Sequence, residues 1–237
     1  YLGNTLAEIA GETAAIIAPG KPVVTAVQEP EAMAVIEWTA RERLSPLTVA
    51  RANSGTPRPS LPGPHQIENA ALALETMKQL NALPESALIE RALKSEQWPG
   101  RFERIGTPPL VLDGAHNEHA ARVLTATWNE EFPGQTAALV FAAAADKQIR
   151  DMIPVFREIA GEWHLAPRSS PRMMPAEDMV ALLKNLVSEP VFIHSSLSEG
   201  LRKAVESPLP ALAAGSLFLL GDLKALLHRT EKRTTSQ

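Results

Sequence analysis

Residues 110–117 have the sequence LVLDGAHN, in which an apolar run ends in a polar turn just before a helix signal. The run Leu110–Asp113 is a predicted strand, and Asn117 is a predicted N-cap for a helix over Glu118–Glu131. Gly114 lets the backbone turn sharply between the two. This strand–turn–helix unit is typical of an α/β fold, in which ligands bind beyond the carboxyl ends of the strands.

The same alternation continues towards the end of the chain. Short apolar runs separated by longer helical segments predict a parallel sheet covered on both faces. We therefore expect a Rossmann-like domain over residues 97–237. The predicted strands are Leu110–Asp113, Ala137–Ala142, Glu162–Ala166, Val191–Ile193 and Ser216–Leu220. The predicted helices are Glu118–Glu131, Gln148–Gly161, Ala176–Val187, Leu197–Glu206 and Asp222–Arg229.

Residues 1–96 have a different order and are predicted to form a separate domain. Thr5 and Glu8 have the spacing of a capping box, which predicts the start of a helix. The stretch 54–64 is rich in proline and glycine, so it is predicted to lack regular structure. The predicted elements are helix Leu6–Ile17, strand Pro22–Val27 and helices Glu31–Arg43, Gln66–Asn81 and Glu85–Lys94. The predicted buried face of the fourth element consists of Ala70, Leu72, Leu74, Met77 and Leu80.

The composition narrows the class of function. The chain has 237 residues, no cysteine and a formal net charge of −4. It can bury a core without disulfides, it has no thiolate metal site, and its charge disfavours a general nucleic-acid binder. No apolar stretch of the sequence is long enough to cross a bilayer, so no membrane partner is expected. The lack of cysteine fits the cytoplasm, and Tyr1 at the first position predicts a fragment of a longer protein.

Four polar residues are candidates for ligand binding. Asp113 and His116 lie in the turn at the end of the first strand of the second domain. Asn69 offers a donor and an acceptor that suit an adenine edge or a phosphate-linked water. Arg101 offers a planar guanidinium that suits phosphates. Each also has an ordinary structural alternative. For Asp113 and His116 it is a hydrogen bond within the turn, for Asn69 a polar position near a helix start, and for Arg101 an interdomain ion pair.

Other polar residues give weaker signals. Asp146-Lys147 and Arg168 follow later strands, where Lys147 and Arg168 are candidate anion contacts. The remaining histidines share no ligand spacing and are expected to be structural or surface residues. They are His65, His119, His164, His194 and His228.

Several sequence blocks, taken together, resemble the folylpolyglutamate synthase/dihydrofolate synthase family, which belongs to the wider group of Mur-type ligases. The blocks span nearly the whole chain, and the DGAHN form points to the folate branch. They are YLGNTL at 1–6, PGKPVV at 19–24, GPHQIENA at 63–70, WPGRFE at 98–103, LDGAHN at 112–117 and GSLF at 215–218.

The resemblance implies a fold and a reaction. Residues 1–96 would be the C-terminal part of a P-loop-type ATPase central domain, and residues 97–237 a Rossmann-like glutamate-ligase domain. ATP, with Mg²⁺, would phosphorylate a dihydropteroate or folyl-glutamate carboxylate, and the amino group of L-glutamate would attack the acyl phosphate. The resemblance also implies a cytoplasmic protein, expected to be a monomer, whose partners are these small molecules.

The resemblance also assigns site residues by position. Asn69, Arg101 and Asp113 match family residues that hold ATP. His116 lies in the same turn and is the candidate catalytic residue, expected to orient the glutamate or a phosphate. No metal ligand is expected in this chain, because the metal-binding residues and the phosphate-binding loop of the family precede the matched region.

The sequence departs from the family at several positions. Thr13 stands where the family has a lysine that is carbamylated to organise the metal site. Ala18, Glu118 and Gln148 replace other usual residues, and an alanine run, 142–145, replaces a common glycine. These departures leave a non-catalytic binding or regulatory homologue as one alternative. A cell-wall peptide ligase is another. We expect the chain to be inactive alone, because the phosphate-binding loop is missing.

Overall fold

The computed structural model describes residue 3 and residues 5–145, 149–167 and 171–234, with side chains described as far as His228. The chain divides into two compact units. The first contains Tyr1–Ser60 and Pro64–Glu96, and the second contains Leu61–Gly63 and Gln97–Gln237.

The first unit combines four helices with a two-stranded parallel sheet. Its elements are α1 (Leu6–Ala14), β1 (Val23–Thr25), α2 (Pro30–Glu42), β2 (Leu47–Val49), α3 (Pro64–Gln79) and α4 (Ser86–Ser95). The predicted capping box is confirmed, because the Thr5 hydroxyl accepts the Glu8 N–H and the Glu8 carboxylate accepts the Thr5 N–H, both at 3.2 Å. The two strands pair in register, with Val24 opposite Thr48.

For the first unit, one strand was not predicted and one side chain was placed wrongly. Strand β2 was not predicted, because three residues are too few to show an alternating pattern. Leu80 was assigned to the buried face of α3, but it is 68% exposed. It follows the end of the helix, so the periodicity of α3 no longer directs its side chain inwards. Ala70, by contrast, is buried as predicted.

The second unit is an α/β structure around a six-stranded sheet. Its elements are β3 (Glu103–Ile105), β4 (Leu110–Leu112), α5 (Glu118–Glu131), β5 (Ala137–Phe141), α6 (Ile149–Arg157), β6 (Ala160–Leu165), α7 (Ala176–Leu183), β7 (Val191–Ile193), α8 (Leu197–Glu206), β8 (Ala211–Ala214) and α9 (Leu217–Thr234). The strand order is β3-β4-β8-β5-β6-β7, and every neighbouring pair except β3–β4 is parallel. The predicted α/β class is confirmed, and the sheet is mostly parallel.

The core of the second unit lies on both faces of this sheet. One cluster contains fully buried aromatic residues, including Trp128, Phe141, Phe156 and Trp163. The other cluster is aliphatic and packs around residues such as Leu223 of α9. Continuous apolar strands of this kind are expected only where helices cover both sides.

The prediction of a strand at Ser216–Leu220 is wrong. Gly215 has a positive φ of 110°, and the Ser216 hydroxyl then accepts the Phe218 N–H at 3.1 Å, so the run forms the first turn of α9. The strand is Ala211–Ala214 instead. Both segments are continuously apolar, and a pattern of this kind does not distinguish a short buried strand from a buried helix start.

A parallel sheet was predicted, and it did not include β3, which pairs with β4 in the antiparallel direction. Glu103 lies opposite Leu112 and Ile105 lies opposite Leu110. The connection between the strands is short, which suits an antiparallel pair and excludes a helical crossover. None of the helices in the described parts of the chain has both the length and the apolar character that a membrane span requires.

Candidate functional site

The β3–β4 pairing brings two predicted site segments together. Because Glu103 lies opposite Leu112, the residues before β3 run alongside the turn that follows β4. We call residues 98–103 the Arg101 arch and residues 113–117 the Asp113 turn. The Gly114 N–H donates to the Gly100 carbonyl at 2.8 Å, which joins the two backbones directly.

The Asp113 carboxylate joins the arch to the turn. One oxygen, Oδ2, accepts the Phe102 N–H at 2.9 Å, and the other, Oδ1, accepts the Ala115 N–H at 2.8 Å. Burial raises the pKa of Asp113 above its usual value, although these two N–H groups and the nearby Arg101 favour the charged form. The side chain therefore fixes the positions of two backbone segments.

The Arg101 side chain is exposed on a fixed backbone. Gly100 and Phe102, on either side, both have left-handed conformations, with φ values of 73° and 47°. This conformation is unfavourable for phenylalanine, but the Phe102 ring is buried and its centroid lies 6.4 Å from that of Trp128. In the described part of the chain, the Arg101 guanidinium makes no hydrogen bond or ion pair, so it can meet an anionic ligand.

His116 is half-buried in the same turn. Its Nδ1 lies 2.8 Å from the Gly114 carbonyl, so in the neutral ring this nitrogen donates and Nε2 keeps a free lone pair. Asn117 is the predicted N-cap, which is confirmed because its side-chain oxygen accepts the Ala120 N–H at 2.8 Å. The helix α5 thus begins directly after the site, and its start orients the turn.

Two glycines allow close packing around the Asp113 turn. A Cβ at Gly114 would lie 2.5 Å from Cδ2 of Leu217, and a Cβ at Gly215 would lie 2.5 Å from the Ala142 carbonyl oxygen. The Gly215 N–H donates to the Ala115 carbonyl at 2.9 Å. A side chain at Gly114 would require the Leu217 side chain to move, whereas one at Gly215 would require the backbone to move.

Two charged residues at this site were missed by sequence reasoning. Glu103 accepts the Gly100 N–H through Oε2 at 2.7 Å, and its Oε1 pairs with Nζ of Lys224 at 2.8 Å. Glu103 lies in the block WPGRFE, so the family resemblance already pointed to this segment. No local pattern pointed to Lys224, which lies more than a hundred residues further along the chain.

Asn69 belongs to the first unit. It lies on the exposed side of α3, and its Nδ2 donates to Oε1 of the buried Gln66 at 3.0 Å. The structure therefore brings Arg101, Asp113 and His116 into one cluster, whereas Asn69 is part of the other compact unit. The residues Asp146, Lys147 and Arg168 lie outside the described residues.

A second cluster of ionisable side chains lies near the opposite edge of the sheet. Nδ1 of His164 lies 2.9 Å from Nε2 of His194, and the other ring nitrogen of His164 lies 3.0 Å from a carboxylate oxygen of Glu162. We call these three residues the His164 cluster. Within the described ranges, no three His, Cys, Asp or Glu side chains are arranged to hold a metal ion.

The first unit contains a cleft of about 640 Å³ next to β2, α3 and α4. Its lining includes Arg51, Leu74, Lys78 and Ile89. None of the four predicted site residues lines it.

The comparison with known proteins agrees with this architecture. The sequence profile of the Mur ligase glutamate ligase domain matches residues 100–219, which contain residues 100–103 of the arch, the turn and the whole six-stranded sheet. The chain belongs to the Mur ligase family. Within it, the relatives are folylpolyglutamate and dihydrofolate synthases, so the predicted resemblance is confirmed.

Three relatives illustrate the extent of the match. The dihydrofolate synthase/folylpolyglutamate synthase of Bacillus subtilis is 33% identical, over 95% of this chain and 59% of its own length. A bifunctional folylpolyglutamate synthase/dihydrofolate synthase with Mn, AMPPNP and L-glutamate bound is 28% identical, with a TM-score of 0.79 over 96% of this chain and 58% of its own. Mycobacterium tuberculosis folylpolyglutamate synthase complexed with ADP, at 21% identity, shares the fold, with a TM-score of 0.85 over 95% of this chain and 60% of its own. The chain thus spans about three fifths of the length of these relatives.

Proposed function

We propose that this chain is part of an ATP-dependent ligase that joins L-glutamate to dihydropteroate or to a folyl-glutamate. The observation that carries the proposal is the exposed Arg101 guanidinium, held beside Asp113 and His116 at the carboxyl end of β4. This arrangement lies within a domain that matches the glutamate ligase profile. The bifunctional relative with Mn, AMPPNP and L-glutamate bound supports the same choice of substrates.

The proposed reaction has two steps. A carboxylate oxygen of the folate substrate attacks the γ-phosphorus of ATP, which gives an acyl phosphate and ADP. The amino group of L-glutamate then attacks the acyl carbon, inorganic phosphate leaves with the electron pair of the C–O bond, and the new amide loses a proton. The first step is needed because a free carboxylate is a poor electrophile.

Each predicted site residue has a proposed role. Arg101 contacts phosphate oxygens, since guanidinium groups form paired, charge-assisted hydrogen bonds with them. Asp113 contacts the nucleotide with the lone pairs that its two backbone bonds leave free. His116 orients the glutamate or a phosphate through Nε2. Asn69 contacts ATP from the domain of residues 1–96, which we propose to be the C-terminal part of the central ATPase domain.

The described residues do not by themselves fit a resident metal site, since they contain no group of three suitable ligands. We therefore propose that Mg²⁺ arrives with ATP as the counter-ion of the phosphates. The residues of this chain add positive charge through Arg101. Because ATP and folates are cytoplasmic substrates, we further propose that the protein acts in the cytoplasm, as a monomer.

The test uses the complete gene product that carries this chain. It is supplied with MgATP, L-glutamate and either dihydropteroate or a folyl-monoglutamate, and ADP release and conjugate formation are followed together. We expect both products in equal amounts, and no conjugate from residues 1–237 alone. Conjugation of UDP-muramyl substrates instead, or conjugate formed by this chain alone, would contradict the proposal.

A non-catalytic homologue is the second candidate, because of Thr13. In α1 the Thr13 hydroxyl donates to the Ile9 carbonyl at 2.9 Å and is exposed, and a threonine cannot carry a carbamate. A complete gene product that binds MgATP but releases no ADP with any of these substrates would favour this candidate. Replacement of Thr13 by lysine is then the direct check, since restored turnover would assign the loss to this position.

A further inference from the structure

We infer that Glu103 and Lys224 are positioning residues, which fix the Arg101 arch so that its guanidinium meets the phosphates of the nucleotide. This inference rests on the proposed role of Arg101. Neither residue is assigned a role by the family resemblance, and neither needs to touch a ligand.

The arch is held at both ends by different means. On the Phe102 side, the Asp113 carboxylate accepts the backbone N–H, and the ring is buried in the aromatic core. On the Gly100 side, the carbonyl is held by the Gly114 N–H at 2.8 Å, and the N–H is held by Glu103 at 2.7 Å. Glu103 is thus the side chain that fixes the otherwise free amide of a glycine next to Arg101.

Lys224 in turn fixes Glu103. A glutamate side chain has several rotamers, and it holds Gly100 only in one of them. The Lys224 ammonium lies 2.8 Å from the second carboxylate oxygen, with the two side chains 28% and 25% exposed. This pair is better shielded than Arg202–Glu206 of the same unit, whose side chains are 54% and 50% exposed. Shielding from solvent makes such a pair better able to hold one geometry.

The pair also links the arch to α9. A Cβ at Gly100 would lie 2.9 Å from Cδ1 of Leu220, one turn before Lys224 on the same helix. The helix therefore contacts the arch through packing and through charge, at positions four residues apart. We expect loss of the charge to release the Gly100 end while the packing keeps the fold.

The variants are Lys224→Met and Glu103→Ala, each alone and each combined with Arg101→Ala. Lys224→Arg keeps the charge and is expected to behave like the wild type. Glu206→Gln is the matched control, because it removes the ion pairs of Glu206 with Arg202 and Lys203, which do not involve the arch. The measurements are KM for ATP and kcat in the complete gene product, and amide hydrogen exchange of Gly100 in the 237-residue chain.

We expect Lys224→Met and Glu103→Ala to raise KM for ATP by about 3- to 10-fold, with a smaller change in kcat, because a displaced guanidinium binds the phosphates less well. Exchange at Gly100 should accelerate in both variants. In the Arg101→Ala background the second substitution should change KM little further, since residues that act through Arg101 are not additive with its loss.

The outcomes separate the two proposals. If Arg101→Ala leaves KM for ATP unchanged, the proposed role of Arg101 fails, and the positioning role fails with it. If Arg101→Ala raises KM but Lys224→Met and Glu103→Ala behave like Glu206→Gln, only the positioning role is overturned. Full additivity with Arg101→Ala would also overturn it, because the pair would then act independently of the guanidinium.

Discussion

Two polar clusters of the same sheet satisfy their charges in different ways. In the Asp113 turn, the carboxylate is bound by backbone N–H groups of two segments, and the cation Arg101 is left exposed. In the His164 cluster, the ionisable side chains bond to one another, with Glu162 and His194 on the two sides of a buried ring. A charge held by backbone leaves its neighbours free to bind a ligand, whereas a set of side chains that satisfy each other is a structural element.

The largest effect on stability is expected at Asp113. Asp113→Ala leaves the N–H groups of Phe102 and the buried Ala115 without their acceptor, which should lower the free energy of unfolding by about 2–4 kcal/mol. Urea unfolding followed by tryptophan fluorescence measures this. The matched variant Asp113→Asn keeps one acceptor and should lose about half as much. Equal stability of Asp113→Ala and the wild type would show that the carboxylate does not hold the arch.

The next effect separates binding from stability at Arg101. Arg101→Ala removes an exposed side chain, so the free energy of unfolding should stay within about 0.5 kcal/mol of the wild type. Use of ATP by the complete gene product should fall by about 10- to 100-fold in kcat/KM, because charge-assisted contacts to phosphate are lost. Steady-state kinetics and urea unfolding on the same variant check both. A loss of stability with unchanged kinetics would reverse the contrast between the two clusters.

For the His164 cluster we expect the opposite of Arg101, namely a loss of stability without a change in kinetics. His164→Phe fills the same space but breaks two hydrogen bonds of a buried ring, and should lower the free energy of unfolding by about 1–2 kcal/mol. The kinetics with ATP should not change. His119→Phe, at an exposed histidine of α5, is the matched control and should alter stability by less than about 0.5 kcal/mol. Impaired use of ATP in His164→Phe would make this cluster part of the site.

The helices and strands around the site could be predicted from the sequence, because each is marked by a local residue pattern. The helix α5 begins after its Asn117 cap as predicted, and α8 has the predicted bounds Leu197–Glu206. The prediction failed where local signals are ambiguous. An apolar run after Gly215 proved to be a helix start, because the glycine conformation and the Ser216 cap decide it, and neither is visible in hydrophobicity.

The site itself was predictable residue by residue but not as an arrangement. Arg101 and Asp113 were each candidates, but their proximity depends on the antiparallel pairing of β3 with β4, which was not predicted. The Asp113 carboxylate accepts backbone N–H groups from both segments, and one of them belongs to Phe102. The left-handed conformation of Phe102 is not expected from the sequence. Lys224 reaches Glu103 only through the packing of α9, so no spacing rule connects the two.

The smallest effect is a dependence of stability on pH that belongs to the His164 cluster. Burial lowers the pKa of His194 below its ordinary value of 6.5, the neighbouring His164 adds to the lowering, and Glu199 opposes it. The cations Lys203 and Arg202 add further, smaller lowering. A base whose pKa is lowered in the folded state contributes stability that is complete above 6.5 and is lost as the pH falls towards the folded value, because the unfolded chain takes up the proton first.

We therefore expect the free energy of unfolding of the wild type to fall more steeply than that of His194→Gln as the pH is lowered through 6.5. Urea unfolding at a series of pH values measures the difference, and the ring proton shifts of His194 follow its titration directly. His164→Phe should raise the pKa of His194 and reduce the slope, because one of the two main causes of the lowering is removed. A steeper acid loss in His194→Gln than in the wild type would show that the histidine is stabilised in its charged form instead, and the two clusters would then differ less than their hydrogen bonds indicate.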